Sequence, residues 1–272
     1  NADRAAFERN EVVRAWRVLG ETGETSLFRV FAYQLDDDVP TVEQLALMMD
    51  TSRGYGEGFT AMMIGRAASQ RGYLLPERQY PIRMPPSVPG AAPLEFTLAI
   101  TRQESSFDPR ARSHANARGM MQFLPATGRG VARQLGLPFS DERLYDPDFN
   151  MTLGSFHLGD LMNNFGGSMV LTTVAYNGGP ARPRQWVARC GDPRAGTVDP
   201  IDFIECAPFT ETRNYMMRVM ENMSIYKARL NGGTAPLSLS QDIRRGVPRG
   251  PQPYATVSGE EPLRTPDPEP GE

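Results

Sequence analysis

Two clusters of proline set the outer limits on what this chain can fold into. Pro76, Pro81, Pro85, Pro86, Pro89 and Pro93 crowd residues 76–93, and eight more prolines lie between Asn231 and Glu272. Proline removes a backbone donor and clashes with the preceding helical turn, so neither stretch can carry a continuous helix. The first cluster predicts an extended linker centred on residues 85–93. In the second, prolines alternate with Gly, Ser and charges and the apolar periodicity is lost, which predicts a disordered tail or extended arm over residues 231–272. The blocks left over, 1–84 and 94–230, are the expected folding units.

Both blocks read as helical. In the first, Phe7, Val12, Val13, Trp16 and Leu19 recur at helical spacing until Gly20 and Gly23 intervene. Leu27, Phe28, Phe31, Ala32 and Leu35 form a second stripe, closed by Asp36-Asp37-Asp38-Val39-Pro40. Thr41, with Gln44 three residues on, has the spacing of a capping box and opens a third helix. Phe59, Met62, Met63 and Ala67 mark a fourth, ending near Arg71-Gly72. Short connections between helices that cannot bury their stripes alone predict an α-solenoid segment. The second block gives helices near 125–135, 150–165, 168–176 and 211–230, and no alternating strand pattern. The expected fold class is all-α.

Composition excludes several functions. With a net charge of −3 and a pI near 5.6, the chain shows no basic domain or stripe, which argues against nucleic acid. No apolar run is long enough to span a bilayer. The chain opens in mid-pattern on Asn1-Ala2-Asp3-Arg4 with no charged-then-apolar leader, so a processed product or a fragment is expected. The two histidines, His114 and His157, have no metal-ligand spacing to either cysteine, so neither a metal nor another cofactor is expected.

The chemistry concentrates in residues 96–127. An apolar run, Phe96, Leu98, Ala99 and Ile100, delivers Glu104 before the chain breaks at Asp108-Pro109. An acid where a buried helix ends beside a loop stands at a cleft wall. Shielding there disfavours ionisation, as a proton donor near neutral pH requires. The plain alternative is an exposed helix carboxylate. The surrounding blocks favour the first reading: Glu104-Ser105, Ser113, Gly119-Met120-Met121-Gln122 with Pro125, Ala175-Tyr176-Asn177-Gly178-Gly179-Pro180 and Glu211-Thr212-Arg213-Asn214-Tyr215 stand in one order. In that order they resemble the soluble lytic transglycosylases, lysozyme-like enzymes that cut the glycan strands of bacterial peptidoglycan. The resemblance covers about residues 90–230.

It implies a lysozyme-like α-helical catalytic domain behind a superhelical α-segment. It also implies a periplasmic setting, peripheral association with the envelope and peptidoglycan as the partner. Glu104 would act as catalytic acid and then base, with muramic acid's own acetamido oxygen and 6-hydroxyl replacing a second carboxylate. Ser113, Gln122, Tyr176, Asn177 and Glu211 would bind substrate, with the Tyr176 phenol able to stack on a sugar and bond the catalytic carboxylate. Asp108 stands in an Asp-Pro turn, where aspartate more often bonds backbone. Glu211 heads the last helix, where a carboxylate also suits the dipole. Relatives often carry a small residue at the position of Asn116, Leu at Met120 and, in some, Met at Leu124, departures that bear on subsite shape. Cys190 and Cys206 flank a turn-rich segment; the oxidising compartment implied by the resemblance favours a disulfide, and two buried thiols are the alternative. A hydrolase leaving reducing ends, or a non-catalytic wall-binding scaffold, are the competing functions.

Overall fold

The computed structural model describes residues 2–248, and among them every regular element is a helix. The chain folds as two compact units: Asn1–Ile82 with Ser106–Asp108, and Arg83–Ser105 with Pro109–Glu272.

The first unit contains α1 (Ala2–Arg9), α2 (Glu11–Thr22), α3 (Thr25–Asp38), α4 (Val42–Gly54), α5 (Gly58–Gln70) and the single turn α6 (Pro76–Gln79). The single helix expected through residues 7–19 is two: Asn10 breaks it, its Oδ1 accepting from Val12 N (2.9 Å) and Val13 N (3.3 Å) as the cap of α2. Thr41 caps α4 through Gln44 N, as its spacing predicts. Trp16 and Phe28 stack at 4.7 Å at the centre of the core, and the buried indole N–H donates to Phe28 O. Gln79, 3 % exposed, is the polar pin of this unit: its amide donates to Gly65 O and Ser69 Oγ and accepts from Leu75 N. Within the same unit Arg66 donates to Ser106 Oγ at 2.7 Å, and Arg29 lies 3.7 Å from Asp108. Asp108 is thus engaged by an arginine.

The second unit begins in the proline-rich stretch. Residues 83–93 form no helix; they are irregular, with a turn at Pro89-Gly90, and they pack on their own unit: Arg83 pairs with Asp148, and Ala92 N donates to Ser155 O. The helices are α7 (Leu94–Ser105), α8 (Pro125–Gln134), α9 (Pro147–Asn164), α10 (Met169–Gly178), α11 (Ala181–Cys190), α12 (Pro200–Cys206), α13 (Thr210–Leu230) and α14 (Leu239–Ile243), with a 3-10 turn at Asp141–Tyr145. Phe96 through Thr101 are buried without interruption, so this stretch of α7 is covered on every face and forms the centre of the unit. Its principal partner is α13, which contributes Tyr215, Met216, Val219, Met220, Met223 and Tyr226. The Cys190 and Cys206 sulfurs are bonded, tying the end of α11 to the end of α12.

Residues 231–248 correct the expectation of an extended arm. They form α14 and bury Asp242 and Ile243. Lys227 donates to Asp242 and Ser238, and Val247 N donates to Gly166 O at 3.0 Å. One apolar anchor and one ion pair are too sparse to register as periodicity. Residues 249–272 of the expected tail lie outside the described residues.

Two outcomes follow. Burial, reinforced by Asp37 and opposed by Arg71, pushes the Asp36 carboxyl from 3.8 up to about 6. The folded state therefore holds this proton more tightly than the unfolded chain, and its contribution is lost as pH rises from about 4 through 6. Asp36→Asn should raise stability above pH 6 by about 1–2 kcal/mol, with the gap closing below pH 4 in denaturant titrations at each pH. The disulfide closes a separation of 16 residues, so Cys190→Ser should cost roughly 3 kcal/mol under oxidising conditions and nothing further once the wild type is reduced.

Candidate active site

Glu104 lies in the last turn of α7, half-buried, where the apolar run delivers it. Ser106 and Phe107 follow with φ of 53° and 64°, a left-handed conformation that side chains other than glycine seldom adopt. Tyr215 OH donates to Glu104 Oε1 at 2.6 Å. That phenol comes from α13 and is 7 % exposed. The carboxyl is therefore held in one orientation by a rigid donor.

The residues beside this pair bond to the other walls. Ser105 Oγ donates to Met120 O at 2.7 Å, and Tyr176 OH donates to Met121 O at 2.7 Å. Thr212 Oγ1 donates to Asn177 Oδ1 at 3.0 Å. These contacts close a circuit: α7 to the 119–122 loop, that loop to α10, α10 to α13, and α13 back to Glu104. At each station the two bonding residues are chain neighbours or, for Thr212 and Tyr215, one helical turn apart. The phenol expected on the carboxylate is that of Tyr176, whose hydroxyl donates to Met121 O; Tyr215 supplies a donor to Glu104 that the sequence motifs do not assign. Its signal is present in the Glu211-Thr212-Arg213-Asn214-Tyr215 block, four residues beyond Glu211 on one helical face.

The remaining expected residues fall as follows. Ser113 is half-buried, its Oγ accepting from Ala117 N at 3.0 Å, which leaves the hydroxyl proton to donate elsewhere. The Gln122 NH2 group is committed to the loop itself, donating to Gly119 O (2.8 Å) and Ala111 O (3.2 Å), so the sugar-bonding role expected of this amide does not fall to its donor side. Gln122 also has positive φ, 51°. Asn177 is tied to Thr212, and Glu211 is exposed at the start of α13. Burial pushes the nearby Arg182 guanidinium down, while the charge of Glu211 works against that shift. Arg182 also stacks on Phe209, 4.9 Å from the ring centre. Cys190 and Cys206 brace this end of the unit through α11 and α12.

Asn116, the departure noted in the loop, has φ 64° and accepts from Arg112 and Arg118 through Oδ1. Asparagine is among the few side chains that tolerate this conformation. Phe123, His157 and Tyr176 form a cluster with ring centres 5.8–6.4 Å apart. Among the described residues no group of His, Cys, Asp and Glu could hold a metal ion. What the arrangement can do is present one oriented carboxyl group beside phenols, amides and hydroxyls.

Residues 90–196 match the transglycosylase SLT domain family. The soluble lytic murein transglycosylase of Escherichia coli K12 is 34 % identical over 137 residues, half of this chain and 21 % of that protein. An inactive mutant of the lytic transglycosylase Slt from Pseudomonas aeruginosa has 27 % identity and a TM-score of 0.69 over 86 % of this chain and 38 % of its own. The 70 kDa soluble lytic transglycosylase of E. coli has a similar fold, with a TM-score of 0.70 at 23 % identity over the same shares. The chain therefore spans about a fifth of the length of the curated relative and under two fifths of the solved ones. In sequence and in its all-α architecture it resembles the soluble lytic transglycosylases.

Tyr215→Phe removes the donor and keeps the ring. The variant should fold normally but be destabilised by about 1–3 kcal/mol in denaturant titration, because the half-buried Glu104 carboxyl loses its donor.

Proposed function

We propose that this chain is a peptidoglycan lytic transglycosylase. It would cleave the β-1,4 bond between N-acetylmuramic acid and N-acetylglucosamine in the bacterial cell envelope, in the periplasm. The observation that carries the reading is Glu104, half-buried at the end of α7 and oriented by Tyr215 inside the hydrogen-bonded circuit. The match of residues 90–196 to the transglycosylase SLT domain supports it. So does the Pseudomonas aeruginosa neighbour, which is inactive with a glutamine in place of a glutamate. No described helix is long and apolar enough to cross a membrane.

One carboxyl suffices when the substrate supplies the nucleophile. Glu104 in its protonated form donates to the glycosidic oxygen as the C1–O bond breaks, and the muramoyl acetamido oxygen bonds to C1. The glutamate then takes the proton from the 6-hydroxyl, whose oxygen displaces the acetamido oxygen at C1. The products are a sugar with a free 4-hydroxyl and a 1,6-anhydromuramoyl end; the carboxyl is protonated again and no water is consumed. Asp108 is engaged with Arg29, which favours its exclusion from the proton transfers. Tyr176, Asn177, Ser113 and Glu211 border the glycan, while Gln122 shapes the loop that carries the wall.

The test combines a variant and a product. Glu104→Gln should abolish lysis, a loss of at least about 100-fold, while glycan binding is retained. Wild-type digests should give muramoyl ends lighter by one water in mass spectrometry. Undiminished lysis by Glu104→Gln rejects the acid, and reducing ends alone make the protein a hydrolase.

A further inference from the structure

Asn150 stands in the first turn of α9, fully buried, and spends its amide on backbone. Oδ1 accepts from Met121 N at 2.8 Å, while Nδ2 donates to Leu144 O at 2.8 Å and Arg118 O at 3.1 Å. Gly119, at φ 75°, admits that amide: a Cβ there would lie 2.5 Å from Nδ2 and 2.0 Å from Leu144 O. The segment so fixed offers two successive carbonyls, Met120 O and Met121 O. These are the acceptors of Ser105, the neighbour of Glu104, and of Tyr176.

We infer that Asn150 is a positioning residue for the reaction. It acts on Glu104 and Tyr176 through the Met120 and Met121 carbonyls, without touching the glycan. The inference rests on the function proposed above and deepens it. A carbonyl displaced by a fraction of an ångström would re-aim Ser105 and Tyr176 together, because both are short bonds to adjacent peptides. Misplacing a reacting carboxyl on that scale lowers the rate of the chemical step more than it weakens binding of a long polymer.

The test is a split between kcat and KM, measured per folded molecule on soluble glycan strands. Asn150→Asp is isosteric, keeps an acceptor for Met121 N and removes both donors. It should lower kcat about 10–100-fold with KM within about threefold of wild type. Gly119→Ala, which pushes on the same amide from the other side, should give the same split, and the double variant should be no worse than the poorer single one. Leu158→Ala, a fully buried site on the same helix, serves as the purely structural control. It should lower thermal stability and leave kcat within about twofold. If Asn150→Asp does not fold, Ser105→Ala, which cuts the bond to Met120 O while leaving the loop backbone free of added bulk, against the control decides. A kcat indistinguishable from the control, or a loss wholly in KM, overturns the inference while the function stands. A wild type inactive on glycan overturns the functional reading, and this inference with it.

Discussion

The structure of the site depends on the hydrogen bond from Tyr215 to Glu104 and on the packing of α13 against α7 that brings the two together. A half-buried carboxyl without a partner would sample several rotamers and offer its proton in several directions. One donor from a buried, rigid ring removes that freedom. The bond is the last link of a circuit through Ser105, Met120, Met121, Tyr176, Asn177 and Thr212. Each such bond is worth only about 0.5–1.5 kcal/mol net, but leaving a buried partner unpaired costs about 1–3 kcal/mol. The circuit is therefore stabilised chiefly by the penalty for breaking it, which makes the geometry sharp while adding little to total stability.

The loop of residues 118–122 is where backbone and chemistry meet. Gly119 and Gln122 both have positive φ, the Gln122 amide closes the turn, and Asn150 occupies the space that a side chain at 119 would fill. A conformation of this kind persists only where surrounding contacts over-determine it. It uses polar side chains that a reading of motifs would assign to substrate. Gln122 illustrates the point: its donors are already committed to carbonyls of its own loop.

Much of this was legible in the sequence, and the gaps have physical reasons. The apolar run of Phe96, Leu98, Ala99 and Ile100 located α7 and hence Glu104, and the helix expected at 211–230 is α13. The break between α1 and α2 was missed because the apolar spacing runs through it and only Asn10, a capping side chain, signals the stop. α11 and α12 were missed because α11 is rich in Arg and interrupted by Pro183, and because α12 has seven residues. Tyr215 sat in a recognisable motif without a role, since the angle between two helices, not spacing along one, puts it on Glu104. Asn150 carried no signal: an amide that bonds three backbone groups from two segments can be recognised only after the chain has folded.

The central claim is that a single oriented carboxyl works with a nucleophile supplied by the substrate, so that no solvent oxygen enters the product. Digestion of purified glycan in water enriched in heavy oxygen, followed by mass analysis of the new muramoyl ends, tests it most directly. The account predicts ends that carry no label. Label at C1 of those ends would show that water attacks, and would contradict it.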